Sequence, residues 1–96
     1  MTKSQELAQL MGMLVQKHRT DDMAQAELAV RIGVGRGSIS KLEGGQAVVS
    51  ATLFEALETL DCIDPIIEVV SDMLEAVKDN PQRKRRIAPK EMSNDF

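Results

Sequence analysis

The chain contains no Trp and no Tyr, and only two Phe, Phe54 and Phe96. So few aromatics argue against a β-sandwich and against a single-strand nucleic-acid binder that works by stacking bases. Six Gly and three Pro are too few for a turn-rich β fold. A lone cysteine, Cys62, excludes an internal disulfide and any multi-cysteine zinc site. Uninterrupted apolar runs stop short of five residues, so no membrane span is expected. Met1 to Glu6 have no signal-peptide character. Of the 96 residues, 31 are Leu, Ile, Val, Met or Phe, enough for a modest core without covalent staples. The expectation is an all-α, soluble, cytoplasmic protein, with a reduced thiol.

Positive charge is scarce overall, and the net charge is −3. It is also unevenly distributed. Residues 1–46 carry six basic and five acidic side chains, residues 47–79 one basic and eight acidic, and residues 80–96 five basic and two acidic. An acidic block between neutral and basic ones fits a protein that turns one face to a polyanion and another away from it. Solubility alone would also account for acidic helices.

Apolar spacing predicts about five helices. Over residues 4–19, Leu7, Leu10, Met11, Leu14, Val15 and His18 recur on one helical face, with Ser4 as the expected cap. Asp22 with Gln25 resembles a capping box for a short helix over 23–32, which Gly33 ends. A third helix is expected over 36–43, with Ile39 and Leu42 facing inward, stopped by Gly44 and Gly45. Ser50 is the expected cap of a fourth helix, whose stripe is Leu53, Phe54, Leu57 and Leu60. Asp64-Pro65 opens a fifth, which ends near residue 79. The expected organisation is one domain over 1–79 and a polar, basic tail over 80–96, flexible in isolation.

Between Gln25 and Gly45 two short helices meet at a tight glycine turn. Ala29 is small where helices cross, Gly33 makes the turn, Val34 fills its angle and Ile39 locks the second helix onto the first. That is the helix-turn-helix unit, whose second helix can lie in a DNA major groove. The run Gln25-x-x-Leu28-Ala29-x-x-x-Gly33-Val34-x-x-x-x-Ile39-Ser40-x-Leu42-Glu43-x-Gly45 resembles the lambda-repressor-like, Cro/XRE-type DNA-binding family. The resemblance covers residues 7 to about 75.

The resemblance implies a lambda-repressor-like bundle that binds double-stranded operator DNA as a dimer and regulates transcription. It puts Gln25 against a phosphate, where it also braces the recognition helix. It makes Arg36, Gly37, Ser38 and Lys41 groove-facing, with Ser40 a further short donor and acceptor. Gln46 falls in the phosphate-binding loop. Arg36 can reach a guanine edge with both arms of its fork. A basic residue at the end of the first helix is expected to pair with Glu43; His18 and Arg19 both qualify. Were it His18, its pKa would rise. The chain also departs from the family pattern. Ala24 stands where a capping residue is usual, Gly35 and Gly37 replace polar residues, and the loop Gln46 to Val49 has no Lys or Arg. The tail residues Arg83, Lys84, Arg85 and Arg86 would compensate as an arm tracking phosphates or a minor groove, or would serve a protein partner, or have no role.

On the fifth helix Ile66, Val70, Met73 and Val77 form a stripe broad enough for a homodimer interface. The leading expectation is a transcriptional repressor that binds a pseudo-palindromic operator. Two alternatives stand beside it: an antitoxin that represses its own operon and neutralises a toxin protein, and an interaction module that keeps the fold without DNA. No nucleophile–base pair, phosphate loop or metal-ligand spacing points to an enzyme, a metal or a cofactor. Cys62 reads as a small buried apolar group, and the carboxylates of helices four and five as solvated faces.

Overall fold

A computed structural model of the chain describes residues 1–78, all of whose regular structure is helical. The basic tail with Arg83, Lys84, Arg85 and Arg86 lies outside the described residues, as does the boundary expected near residue 79. The helices are α1 (Lys3–Thr20), α2 (Gln25–Ile32), α3 (Arg36–Glu43), α4 (Ser50–Thr59) and α5 (Asp64–Lys78). The chain divides into two units, Met1–Asp64 and a second beginning at Pro65.

The first unit is held by a small apolar core. Val15 of α1, Leu28 and Ala29 of α2, Ile39 and Leu42 of α3, and Ala56 and Leu57 of α4 are all buried, and Leu60 and Cys62 close it from below α4. Full burial of each large side chain stabilises the fold by about 1.5–3 kcal/mol. Among the described residues Thr52 is the one buried neutral polar residue, and no buried side-chain polar atom there lacks a partner.

The inward face of α1 differs from the one that periodicity predicts. Of the expected stripe only Val15 is buried; Met11 and Leu14 are half-buried, and Leu7, Leu10 and His18 are exposed. The face that packs instead runs through Gly12, Val15 and Arg19. Gly12 explains the rotation. A Cβ there would overlap the carbonyl oxygen of Leu42 and lie 2.8 Å from that of Glu43. Without a side chain, α1 crosses α3 backbone against backbone, and larger neighbours are turned outward. In α4 likewise Leu57 and Leu60 are buried, Leu53 is half-buried, Phe54 is exposed, and the small residues Thr52 and Ala56 take the inner positions.

The helix starts also differ from expectation. Thr2, not Ser4, caps α1, accepting from the Gln5 amide while Gln5 Oε1 accepts from the Thr2 amide, 2.8 Å away. Asp22 and Gln25 form no capping box; the N-cap of α2 is Ala24, without a side-chain bond, and the side chain of Gln25 is used elsewhere. Val49, not Ser50, precedes α4, again without a side-chain cap. The ends of α2, α3 and α4 follow one pattern. Gly33, Gly45 and Asp61 take positive φ after α2, α3 and α4. The next amide in each case returns to the helix: Val34 to Ala29, Gln46 to Lys41 and Cys62 to Leu57. This is the Schellman closure, which satisfies the last free carbonyls and turns the chain sharply.

Candidate functional site

The turn after α2 aims α3. Gly33 has φ 77° and ψ 32°, a conformation that favours glycine, and half-buried Val34 sits in the angle. The chain then enters α3 through Gly35 in extended geometry. One side of α3 is committed inward through Ile39, Leu42 and Glu43. Arg36, Gly37, Ser40 and Lys41 are exposed and share the opposite face, within about 140° of arc at 100° per residue. Ser38 is half-buried at its margin, and exposed Gln46 lies beyond the Gly44–Gly45 turn.

Neither Arg36 nor Lys41 lies within ion-pair distance of a carboxylate among the described residues. The other exposed pairs there are Lys3–Glu6, Arg31–Glu27 and Lys78–Glu75, all between neighbours on one helix. The outer face of α3 therefore carries two positive charges unpaired among the described residues, the Ser40 hydroxyl and a glycine, with the Ser38 hydroxyl at its margin. It can donate hydrogen bonds to a polyanion or to base edges; it holds no nucleophile with an adjacent base.

Behind this face lies a buried polar clamp. Arg19 Nε donates to Glu43 Oε2 at 2.5 Å and its Nη2 to Glu43 Oε1 at 3.1 Å. Its Nη1 donates to the carbonyl of Met23 at 2.9 Å. Gln25 Nε2 donates to Glu43 Oε1 at 2.9 Å. The last turn of α1, the first turn of α2 and the end of α3 are thus joined through one carboxylate. Both members are buried, with side-chain exposures of 11% for Arg19 and 4% for Glu43. Such a buried pair is tolerated where further hydrogen bonds satisfy it, here from Arg19 to the Met23 carbonyl and from Gln25 to Glu43. Hydrogen bonding of the guanidinium to the Glu43 carboxylate raises the Arg19 pKa above its ordinary value, although burial works the other way.

Of the two candidates for Glu43, the structure brings Arg19 to it and leaves His18 exposed. The fork of Arg19 can hold both carboxylate oxygens and the Met23 carbonyl together, which an imidazole cannot. Gln25, expected both to face a phosphate and to brace the recognition helix, does brace α3, its Nε2 donating to Glu43. Sequence reasoning did not single out Gly12. Its signal was present, since an isolated glycine inside a helical apolar pattern marks a close approach.

Cys62 is buried, and burial followed by the charge of Asp61 raises its thiol pKa. That environment keeps the sulfur protonated and inert. Among the described residues no group of His, Cys, Asp and Glu could hold a metal ion, and no helix is long and apolar enough to cross a membrane. Ile66 and Val77 on α5 are half-buried, whereas Val70 and Met73 are 57% and 63% exposed. Comparison of the chain with known protein families, with curated proteins and with solved structures returned no match.

Proposed function

We propose that this chain is a sequence-specific DNA-binding regulator of transcription, acting on intracellular DNA as a homodimer. One observation carries the reading: a glycine-hinged pair of short helices presents Arg36 and Lys41, uncommitted, on the outer face of the second. A helix held this way fits the major groove, with Arg36 near its N-terminus toward a guanine edge and Lys41 a turn later toward a base or phosphate. The clamp of Arg19, Glu43 and Gln25 supports the same reading, because it fixes the angle at which α3 stands away from α1 and α2. The lambda-repressor-like resemblance of residues 25–45 agrees with it. Loop residues 46–49 carry no positive charge, so affinity from the first unit is modest and the tail residues Arg83 to Arg86 would supply further phosphate contacts.

The test is selection from a random pool of double-stranded DNA with the full chain, followed by binding measurements at several salt concentrations. The expected product is an inverted repeat whose half-sites lie about one helical turn apart. Arg36→Ala should weaken binding to it by about 1–3 kcal/mol and relax one base position. Lys41→Ala should reduce affinity as well. A pool that yields no enriched sequence, or a double variant that binds as tightly as the parent, would overturn the proposal.

The uncovered apolar face of α5 favours a second reading, in which a protein partner such as a toxin is also engaged. A protein partner that co-purifies with the full chain and is lost with Met73→Lys, a change that should also weaken the two-copy assembly and operator binding, would establish it.

A further inference from the structure

Five of the six glycines have a structural reason. Gly12 lets α1 cross α3, Gly33 and Gly45 take positive φ, and a Cβ on Gly44 would lie 3.3 Å from the Ser40 carbonyl oxygen. Gly35 stands at the N-cap of α3, where glycine is among the favoured residues. Gly37 has no such reason. It lies within α3, its φ is not positive, and nothing among the described residues comes within 4 Å of the place its Cβ would take. Alanine would be the better helix former there. A helix of eight residues thus gives up stability at Gly37 with no gain in packing. A residue that weakens the fold without compensation marks a requirement that lies outside the fold.

The place of Gly37 on the helix says what that requirement is. Counting about 100° per residue from Arg36, Ser40 falls at about 40°, Gly37 at about 100° and Lys41 at about 140°. The two long cations therefore stand at the edges of the outer face, and Ser40 and Gly37 along its middle, the part that enters a groove furthest. Helical side chains lean toward the N-terminus, so the aliphatic stem of Lys41, four residues on, borders the space over Gly37. That space is floored by a bare Cα, which offers C–H groups and neither donor nor acceptor. A hydrogen-bonding base edge set against it would lose water without gaining a partner, at a net cost. One group in the major groove protrudes and asks for apolar contact alone: the 5-methyl of thymine.

We infer that Gly37 is a specificity-determining residue: its missing side chain makes room for a thymine methyl, so the DNA site carries thymine opposite Gly37. The inference rests on the DNA-binding reading proposed above and deepens it, since the readout at this position is a space and not a hydrogen bond.

The experiment uses the full chain and, as probe, the duplex it selects from the random pool. That duplex is resynthesised with each thymine in turn replaced by deoxyuridine, which removes the methyl and keeps the base pairing. At one thymine the replacement should cost the parent about fourfold in affinity, the worth of one methyl-sized group. Gly37→Ala should bind the thymine duplex about tenfold more weakly than the parent does, because two methyls now compete for one space. At that position it should bind the deoxyuridine duplex better than the thymine one, the methyl having moved from DNA to protein. The base preference set by Arg36 should persist in Gly37→Ala, and the Tm of the variant should be no lower than the parent's. A parent indifferent to deoxyuridine at every thymine, or a Gly37→Ala chain that keeps the parent's preference for thymine, would overturn the inference and leave the regulator reading standing. So would a Tm that falls in Gly37→Ala, since another part of the chain would then pack on Gly37. A pool that enriches no sequence would overturn both.

Discussion

Replacing Gly12 by Ala tests how the first unit is held together. In a free helix the change is favourable by about 1 kcal/mol, since Ala is the better helix former. Here the new methyl would overlap the Leu42 carbonyl oxygen and sit 2.8 Å from the Glu43 oxygen and 3.0 Å from the Glu43 carbonyl carbon. These are backbone atoms of α3, so no side chain can rotate away. The helices must part, and overpacking of this kind costs about 1–3 kcal/mol. Parting also moves Glu43, on which the buried clamp closes. Set against the helix-propensity gain, the net loss should be up to about 2 kcal/mol, a fall in Tm of up to roughly 8–16 °C for a domain of this size. Gly37→Ala is the matched control: it lies in α3 with nothing within 4 Å of its Cβ position. That substitution should leave Tm unchanged or raise it by a few degrees. Thermal unfolding followed by circular dichroism at 222 nm reads both. Equal shifts of the same sign in the two variants would show that α1 and α3 do not meet at Gly12.

Glu43→Ala strands a buried guanidinium and should cost about 3–5 kcal/mol, seen as a large drop in the denaturant midpoint; a loss under 1 kcal/mol would mean that the clamp is not closed in solution. Because the Arg19 pKa is raised on folding, its contribution is present below the unfolded value and fades only as pH climbs through the folded one. Arg19→Met should therefore destabilise the chain at every pH from about 6 to 9; a variant as stable as the parent across that window would contradict the pairing. Cys62, buried and with a raised pKa, should react with a thiol reagent only when the chain unfolds, and rapid labelling of the native protein would place it at the surface. Asp61→Gly relieves a non-glycine φ of 62° and should raise Tm, by about 0.5–1 kcal/mol of added stability; a fall would show that the Asp61 side chain is needed in the turn.

Much of the candidate site is legible in the residues alone. The bounds of α3, the turn at Gly33, the inward Ile39 and Leu42 and the outward Arg36 and Lys41 all follow from local pattern, because a short helix pinned by glycines at both ends has few ways to face. The α1 face is the contrary case. Leu7 and Leu10 satisfy helical spacing yet are exposed, since periodicity ranks faces by hydrophobicity and is blind to how near two backbones come. The caps show the same limit. Ser4, Asp22 and Ser50 are good capping residues, but Thr2 caps α1, Ala24 and Val49 stand at the next two starts, and Gln25 is drawn to Glu43. A hydrogen bond to a buried carboxylate outweighs one at an exposed helix end.

By itself, then, the order of residues determined that the chain is helical, where α3 begins and ends, and which charges its outer face carries; these depend on neighbours within a turn or two. The tertiary structure alone decided that Arg19, rather than His18, completes the clamp with Glu43, and that Gly12 is the contact point between α1 and α3. Each of these joins or separates segments distant in sequence, where the outcome depends on how closely two backbones approach and on which buried charge must be satisfied.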